Sequence, residues 1–249
     1  MGLFEFHKEI SQHTLAIGTQ NHYEVSKRYY KEFIKKYYNK SDVYLSQLNL
    51  KFITDFDQYI LQNNTTNKIN PCNNNTRMKY IERLRNVVNI AISNDWLEKD
   101  PFARFKVSYT LTKSEILSAE ELQKLEEKEF AFNCLQVLKD LFLFSCYTGL
   151  AYIDPINLKP DNITMGIDKE LRIRTSITKT SIPLNVPIIP KAADILKKYE
   201  SDPILKELNR VLPCISNQRL NAYLKEVADF CGIKKLYPFT SLVIPLLQQ

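Results

Sequence analysis

The stretch Leu171–Ile189, LRIRTSITKTSIPLNVPII, sets the fold class of the second half of this 249-residue chain. Two short runs, LRIRTS and PLNVPII, are rich in β-branched residues and flank the polar TKTS. That pattern predicts a β-hairpin with Lys179 in the stretch between the strands. Pro190 then opens a helix to Tyr199, because its missing N–H costs nothing in a first turn. Asn217–Phe230 is amphipathic at helical spacing and ends at Gly232. Upstream, Ser118–Glu121 has the pattern of a capping box, in which the serine caps an early N–H and the glutamate reaches back. A helix to about Lys128 follows, then an apolar, buried-looking helix over Phe132–Cys146. The second half therefore reads as helices around a small antiparallel sheet.

The first half reads as helices alone. Thr19–Tyr38 starts at a candidate N-cap, Thr19, and places Tyr23, Tyr30, Phe33, Ile34 and Tyr37 on one face. In Lys51–Leu61, KFITDFDQYIL, the residues Phe52, Ile53, Phe56, Tyr59 and Ile60 repeat that spacing. Gln62–Asn75 is asparagine-rich and contains Pro71, so it reads as a loop. Thr76–Asn94 resumes the pattern through Met78, Ile81, Leu84, Val88 and Ile92, with Arg77, Lys79, Arg83 and Arg85 on its polar side. Trp96 and the Asp100-Pro101 step close this part, and the basic segment Phe102–Glu115 reads as an extended linker. The expectation is a mainly α chain, with a helical bundle followed by an α+β domain.

Composition narrows the function classes. Hydrophobic residues make up 44% of the chain, too many for global disorder, and the five glycines exclude collagen-like repeats. The longest apolar stretch, Leu141–Ile153, is far short of a membrane span. The charged first ten residues do not read as a signal peptide. Five cysteines, Cys72, Cys134, Cys146, Cys214 and Cys231, are scattered without a CxxC pair. This spacing points to reduced thiols in a cytoplasm and to no metal site. Residues 1–115 hold 17 basic and 12 acidic side chains, against 17 and 16 in residues 116–249. The positive excess in the first half points to a polyanionic partner there.

Four segments, in this order, resemble the tyrosine recombinase (phage integrase) family, in particular the integrases of Bacteroides-type mobile elements. They are LSAEEL at Leu117–Leu122, SCYTGLAYID at Ser145–Asp154, TKTSIPLNVPI at Thr178–Ile188 and SNQRLNAYLKEVADFCGI at Ser216–Ile233. The resemblance covers roughly residues 19–236. It implies a helical, SAM-like core-binding domain over 19–108 after an N-terminal segment 1–18. A linker at 109–116 and a partial catalytic domain at 117–236 follow, with an aberrant tail at 237–249. It also implies double-stranded DNA as partner, with Arg77, Lys79, Arg83 and Lys113 as phosphate contacts that position without specifying sequence. Full-length recombinase protomers are a further partner it allows.

The family's chemistry is attack by a tyrosine on a scissile phosphate, with no metal or other cofactor. Arginines and a His or Trp stabilise the phosphate oxygens, and a hairpin lysine acts as general acid. Carried over residue by residue, Lys179 matches that lysine. Asp154 matches the acidic residue that buttresses the site. The first-arginine position after TGL holds Ala151, which cannot donate to a phosphate; replacement at this position is also a feature of the Bacteroides-type group. The His-x-x-Arg box, the later His or Trp and the nucleophilic tyrosine find no match. The three histidines are His7, His13 and His22, the one tryptophan is Trp96, and Tyr237 lies too early for a nucleophile.

The tail Phe239–Gln249, FTSLVIPLLQQ, matches no family pattern. One permitted back-translation of it, with codons chosen for the purpose, reads HFARHTFATT in another frame, a His-x-x-Arg box. The sequence thus suggests a C-terminally truncated or frameshifted recombinase. On that reading, missing helices would leave apolar surface uncovered on the Phe132–Cys146 and Asn217–Phe230 helices. Two functions follow: site-specific recombination or integration of a mobile element, catalytically incomplete in this chain, or a non-enzymatic DNA-binding fragment that occupies recombination sites or pairs with full-length recombinase.

Overall fold

The computed structural model describes residues 2–64, 72–111, 117–178 and 181–233. The chain divides into two compact units, Met1–Thr112 and Lys113–Gln249. No helix among the described residues is long and apolar enough to cross a membrane.

Unit 1 is built from α1 (Leu3–Ser11), α2 (Ile17–Tyr38), α3 (Leu50–Asn64) and α4 (Asn74–Ser93). Its core is aromatic. Phe33 is fully buried, and the rings of Tyr37, Tyr38, Phe52, Phe56 and Tyr59 lie 5.0–5.7 Å from it. These are tilted and edge-on contacts, which the ring quadrupoles favour over face-to-face stacking. The helical spacing in the sequence thus converts into one apolar seam between α2 and α3, closed by Met78, Ile81, Leu84 and Val88 of α4.

Two sequence expectations change here. Thr19 is not the cap of α2: the helix begins at Ile17 after Ala16, and Thr19 sits inside its first turn, donating its N–H to Ala16 O at 2.8 Å. Gln20 acts on the preceding turn instead, donating to Gln12 O and Leu15 O. Residues 1–18, set apart by the sequence reading, contribute α1 to the bundle. Leu3 and Phe4 pack on the core, Phe6 meets Trp96 edge-on at 5.1 Å, and Glu5 and Lys8 pair with Lys27 and Glu24 of α2. His7 is buried against Tyr23 at 4.2 Å, and that burial lowers its pKa.

Unit 2 contains α5 (Ala119–Glu127), α6 (Asn133–Thr148), the single turn α7 (Ile153–Ile156), β1 (Ile163–Met165), β2 (Leu171–Ser176), β3 (Pro183–Pro187), α8 (Pro190–Tyr199), α9 (Pro203–Glu207) and α10 (Asn217–Phe230). The sheet is antiparallel in the order β1-β2-β3. The predicted hairpin pairs Ile173 with Val186 and Ser176 with Pro183. Strand β1 was not foreseen, since three residues are too few to show a period of two. The capping box forms as expected: Ser118 Oγ accepts from Glu121 N, and the Glu121 carboxylate accepts from Ser118 N. Gly149 and Gly232, at φ of 70° and 67°, end α6 and follow α10.

The central helix is α6. Leu138, Leu141, Phe142 and Phe144 are each at most 1% exposed beneath α5, α8 and α10, so the expectation of an uncovered α6 does not hold. On α10, Leu220, Leu224 and Val227 are buried as well, while Phe230 is exposed at its end. Two buried charges of α6 are both answered. Lys139 Nζ donates to Lys128 O at 2.6 Å and Glu126 O at 3.3 Å, a cation on the C-terminal carbonyls of α5, although burial lowers its pKa. Asp140 accepts from Lys198 at 2.5 Å and Tyr199 at 2.7 Å, which ties α8 down.

Candidate nucleic-acid interface and catalytic positions

The polar side of α4 is less free than its sequence suggests. Arg77, about one-fifth exposed, donates from Nη1 to Asp57 Oδ2 at 3.2 Å and from Nη2 to Asn74 Oδ1 at 2.8 Å. Asp57 Oδ1 and Arg77 Nε are both buried without a partner. Burial raises the Asp57 pKa, and the nearby guanidinium offsets only part of that. Lys79 pairs with Glu82 at 2.9 Å and lies 4.9 Å from the Tyr109 ring; the bond to Glu82 raises its pKa. Arg83 reaches Ser26 Oγ at 3.4 Å and the Tyr80 ring, and Arg85 reaches Asp100 at 3.7 Å. All four cations of α4 therefore have intramolecular partners. On α2, Arg28, Lys31, Lys35 and Lys36 are exposed at spacings of three, four and one, a second cationic face in which Arg28 pairs with Glu32 at 3.9 Å and Lys36 lies over the Tyr59 ring. Charge spacing on α2 could have signalled it. Lys113 lies outside the described residues.

In unit 2, the segment after TGL and the start of the hairpin turn come together. Ala151 is exposed, and its carbonyl accepts from Asp154 N at 2.8 Å. Asp154 is only 5% exposed at the start of α7, and its Oδ1 accepts from Thr178 N at 2.9 Å. A buried carboxylate thus holds the backbone of the residue beside Lys179. Lys179 itself lies outside the described residues. Ile177 N also donates to Ile182 O at 2.9 Å, and Ser181 N to Ile177 O at 2.8 Å, so residues flanking the turn bond to one another. Asp154 and Thr178 are 24 positions apart, so their bond was not visible in the sequence. No group of three or more His, Cys, Asp or Glu side chains among the described residues could hold a metal.

Comparison with known families bears on unit 1 directly. Residues 1–107 match the phage integrase SAM-like domain. That span includes α1, in agreement with its packing into the bundle. No curated protein matches the chain by sequence.

Solved structures extend the likeness beyond this SAM-like domain. A lambda integrase (75–356) dimer bound to a COC′ core site aligns at a TM-score of 0.72 and 14% identity, over 96% of this chain and 82% of that one. A XerH site-specific recombinase bound to a palindromic difH substrate, in a post-cleavage complex, aligns at 0.68 and 14%, over 91% and 67%. The Tn1549 transposon integrase (82–397) in complex with circular intermediate DNA aligns at 0.66 and 12%, over 97% and 84%. The fold is that of the core-binding and catalytic domains of tyrosine recombinases. Against a longer lambda integrase chain, the alignment covers 66% of that chain's length.

Proposed function

We propose that this chain is a DNA-binding tyrosine recombinase or integrase, of the kind that serves site-specific recombination or the integration of a mobile element of the Bacteroides type, and catalytically incomplete as this chain. The observation that carries the reading is the SAM-like match over residues 1–107, with both units following one recombinase fold. The domain partition of the sequence reading stands as part of the proposal, with the N-terminal segment now counted in the bundle. Double-stranded DNA is the partner, and full-length recombinase protomers are a second one. Arg77, Lys79, Arg83 and Lys113 are assigned to phosphates. The three on α4 also hold intramolecular partners, so their contribution is positioning charge and not sequence readout.

Within the catalytic unit, Lys179 holds the general-acid position toward a leaving 5′-hydroxyl. Asp154 acts through Thr178: its carboxylate anchors the backbone from which the turn continues. Ala151 contributes no donor, and the chain has no histidine after His22 and no arginine after Arg219. A general acid without a nucleophile has nothing to protonate, so this 249-residue chain binds DNA without cleaving it. The same residue content favours the second reading, a non-enzymatic DNA-binding protein that occupies recombination sites or pairs with complete recombinase. Duplex binding that weakens steeply with salt tests the first part, and a nicked suicide duplex tests the second. Binding without salt dependence would refute the DNA reading.

A further inference from the structure

The segment that leaves unit 1 runs past the first turn of α4, and two asparagines there grip it. Asn75 Nδ2 donates to Thr110 O at 2.9 Å, while Thr110 N donates to Asn75 Oδ1 at 2.8 Å. One side chain thereby pairs with both backbone groups of Thr110, as an adjacent strand would. Asn74 Nδ2 donates to Ser108 O at 2.7 Å and to Thr110 Oγ1 at 3.1 Å. The orientation of that amide is dictated from behind. A guanidinium offers only donors, so the Asn74 oxygen must face Arg77 and its NH2 must face the segment. Arg77 is in turn held by Asp57 of α3. Val107 packs on the core just before the gripped residues.

We infer that Asn74 and Asn75 form a clamp that sets where the connection between the two units begins, with Arg77 as the positioning residue behind it. Seven residues stand between Thr110 and the α5 cap Ser118; with the segment released back to Val107 there would be ten. The effective concentration of one tethered module at the other falls roughly as the −3/2 power of tether length, so release lowers it about two-fold. The consequence for duplex binding rests on the proposed function. The clamp itself does not.

The test uses the full chain carrying Asn74→Ala and Asn75→Ala. The Thr110 amide should exchange with solvent about ten-fold faster, the scale of one lost hydrogen bond. The unfolding midpoint of unit 1 should stay close to the parent's, since Asn73 still caps α4 through Thr76 N. Asn75→Asp keeps the acceptor for Thr110 N–H and should restore part of the protection. Unchanged Thr110 exchange in the double variant overturns the clamp. On a duplex, affinity should fall about two-fold with the salt slope unaltered. A reduced slope would show that the asparagines touch phosphates and would overturn the positioning role. If the parent chain bound no duplex at all, the proposed function would fail while Thr110 exchange still decided the clamp.

Discussion

Replacing Arg77 with alanine probes both the bundle and the charge argument at once. The substitution removes the cation paired with Asp57, whose Oδ1 is already buried and unpartnered. Removing one member of a buried pair typically costs about 3–5 kcal/mol. The side chains here are 19% and 13% exposed, so some solvent screening remains and about 2–4 kcal/mol is expected at neutral pH. Trp96 makes the assay specific: it is the one tryptophan, and its ring meets Phe6 within unit 1, so its fluorescence in urea follows that unit. The pH dependence supplies a sign. The Asp57 pKa is raised in the folded state, so its contribution favours folding below the ordinary carboxylate range and is lost as pH rises through the raised value. Without Arg77 the pKa rises further, and protonation removes the uncompensated charge. The deficit of Arg77→Ala should therefore shrink as the pH is lowered from about 7 towards about 4. A loss below about 1 kcal/mol, or a deficit that does not change with pH, would refute this account of the pair.

Asp154→Ala removes the acceptor for Thr178 N–H from a buried site and should cost about 1–3 kcal/mol, with faster exchange of the Thr178 amide; Asp154→Asn, which keeps an acceptor, should lose less. Lys79→Ala with Arg83→Ala should lower the salt slope of duplex binding by about two, and adding Arg77→Ala should bring the total to about three; an unchanged slope removes these residues from the interface. On a nicked suicide duplex the chain should form no covalent adduct, since loss of even one oxyanion donor costs about 100- to 1,000-fold and here the nucleophile is unmatched as well. A phosphotyrosyl adduct in a denaturing gel, abolished by mutating Tyr237 or another tyrosine, would contradict that.

What the amino-acid sequence determined by itself was whatever depends on neighbours along the chain. The spacing of Phe52, Phe56 and Tyr59 specifies a helix face because 3.6 residues make a turn. Ser118 and Glu121 close their capping box within one turn, and Pro190 starts α8 through its own missing N–H. The order of four short segments was enough to suggest a recombinase fold.

Only the tertiary structure decided how polar groups are spent, because a hydrogen bond or ion pair joins residues that the fold brings together at any separation. Arg77, Lys79 and Arg83 look alike as exposed helix cations, yet Arg77 is turned inward by Asp57, 20 positions earlier. Asn73, Asn74 and Asn75 read as one polar loop, but the first caps α4 while the other two grip a segment 34 to 36 positions on. The docking of α1 follows the same rule: its partners on α2 and near Trp96 come from the folded bundle, and no local period announces them.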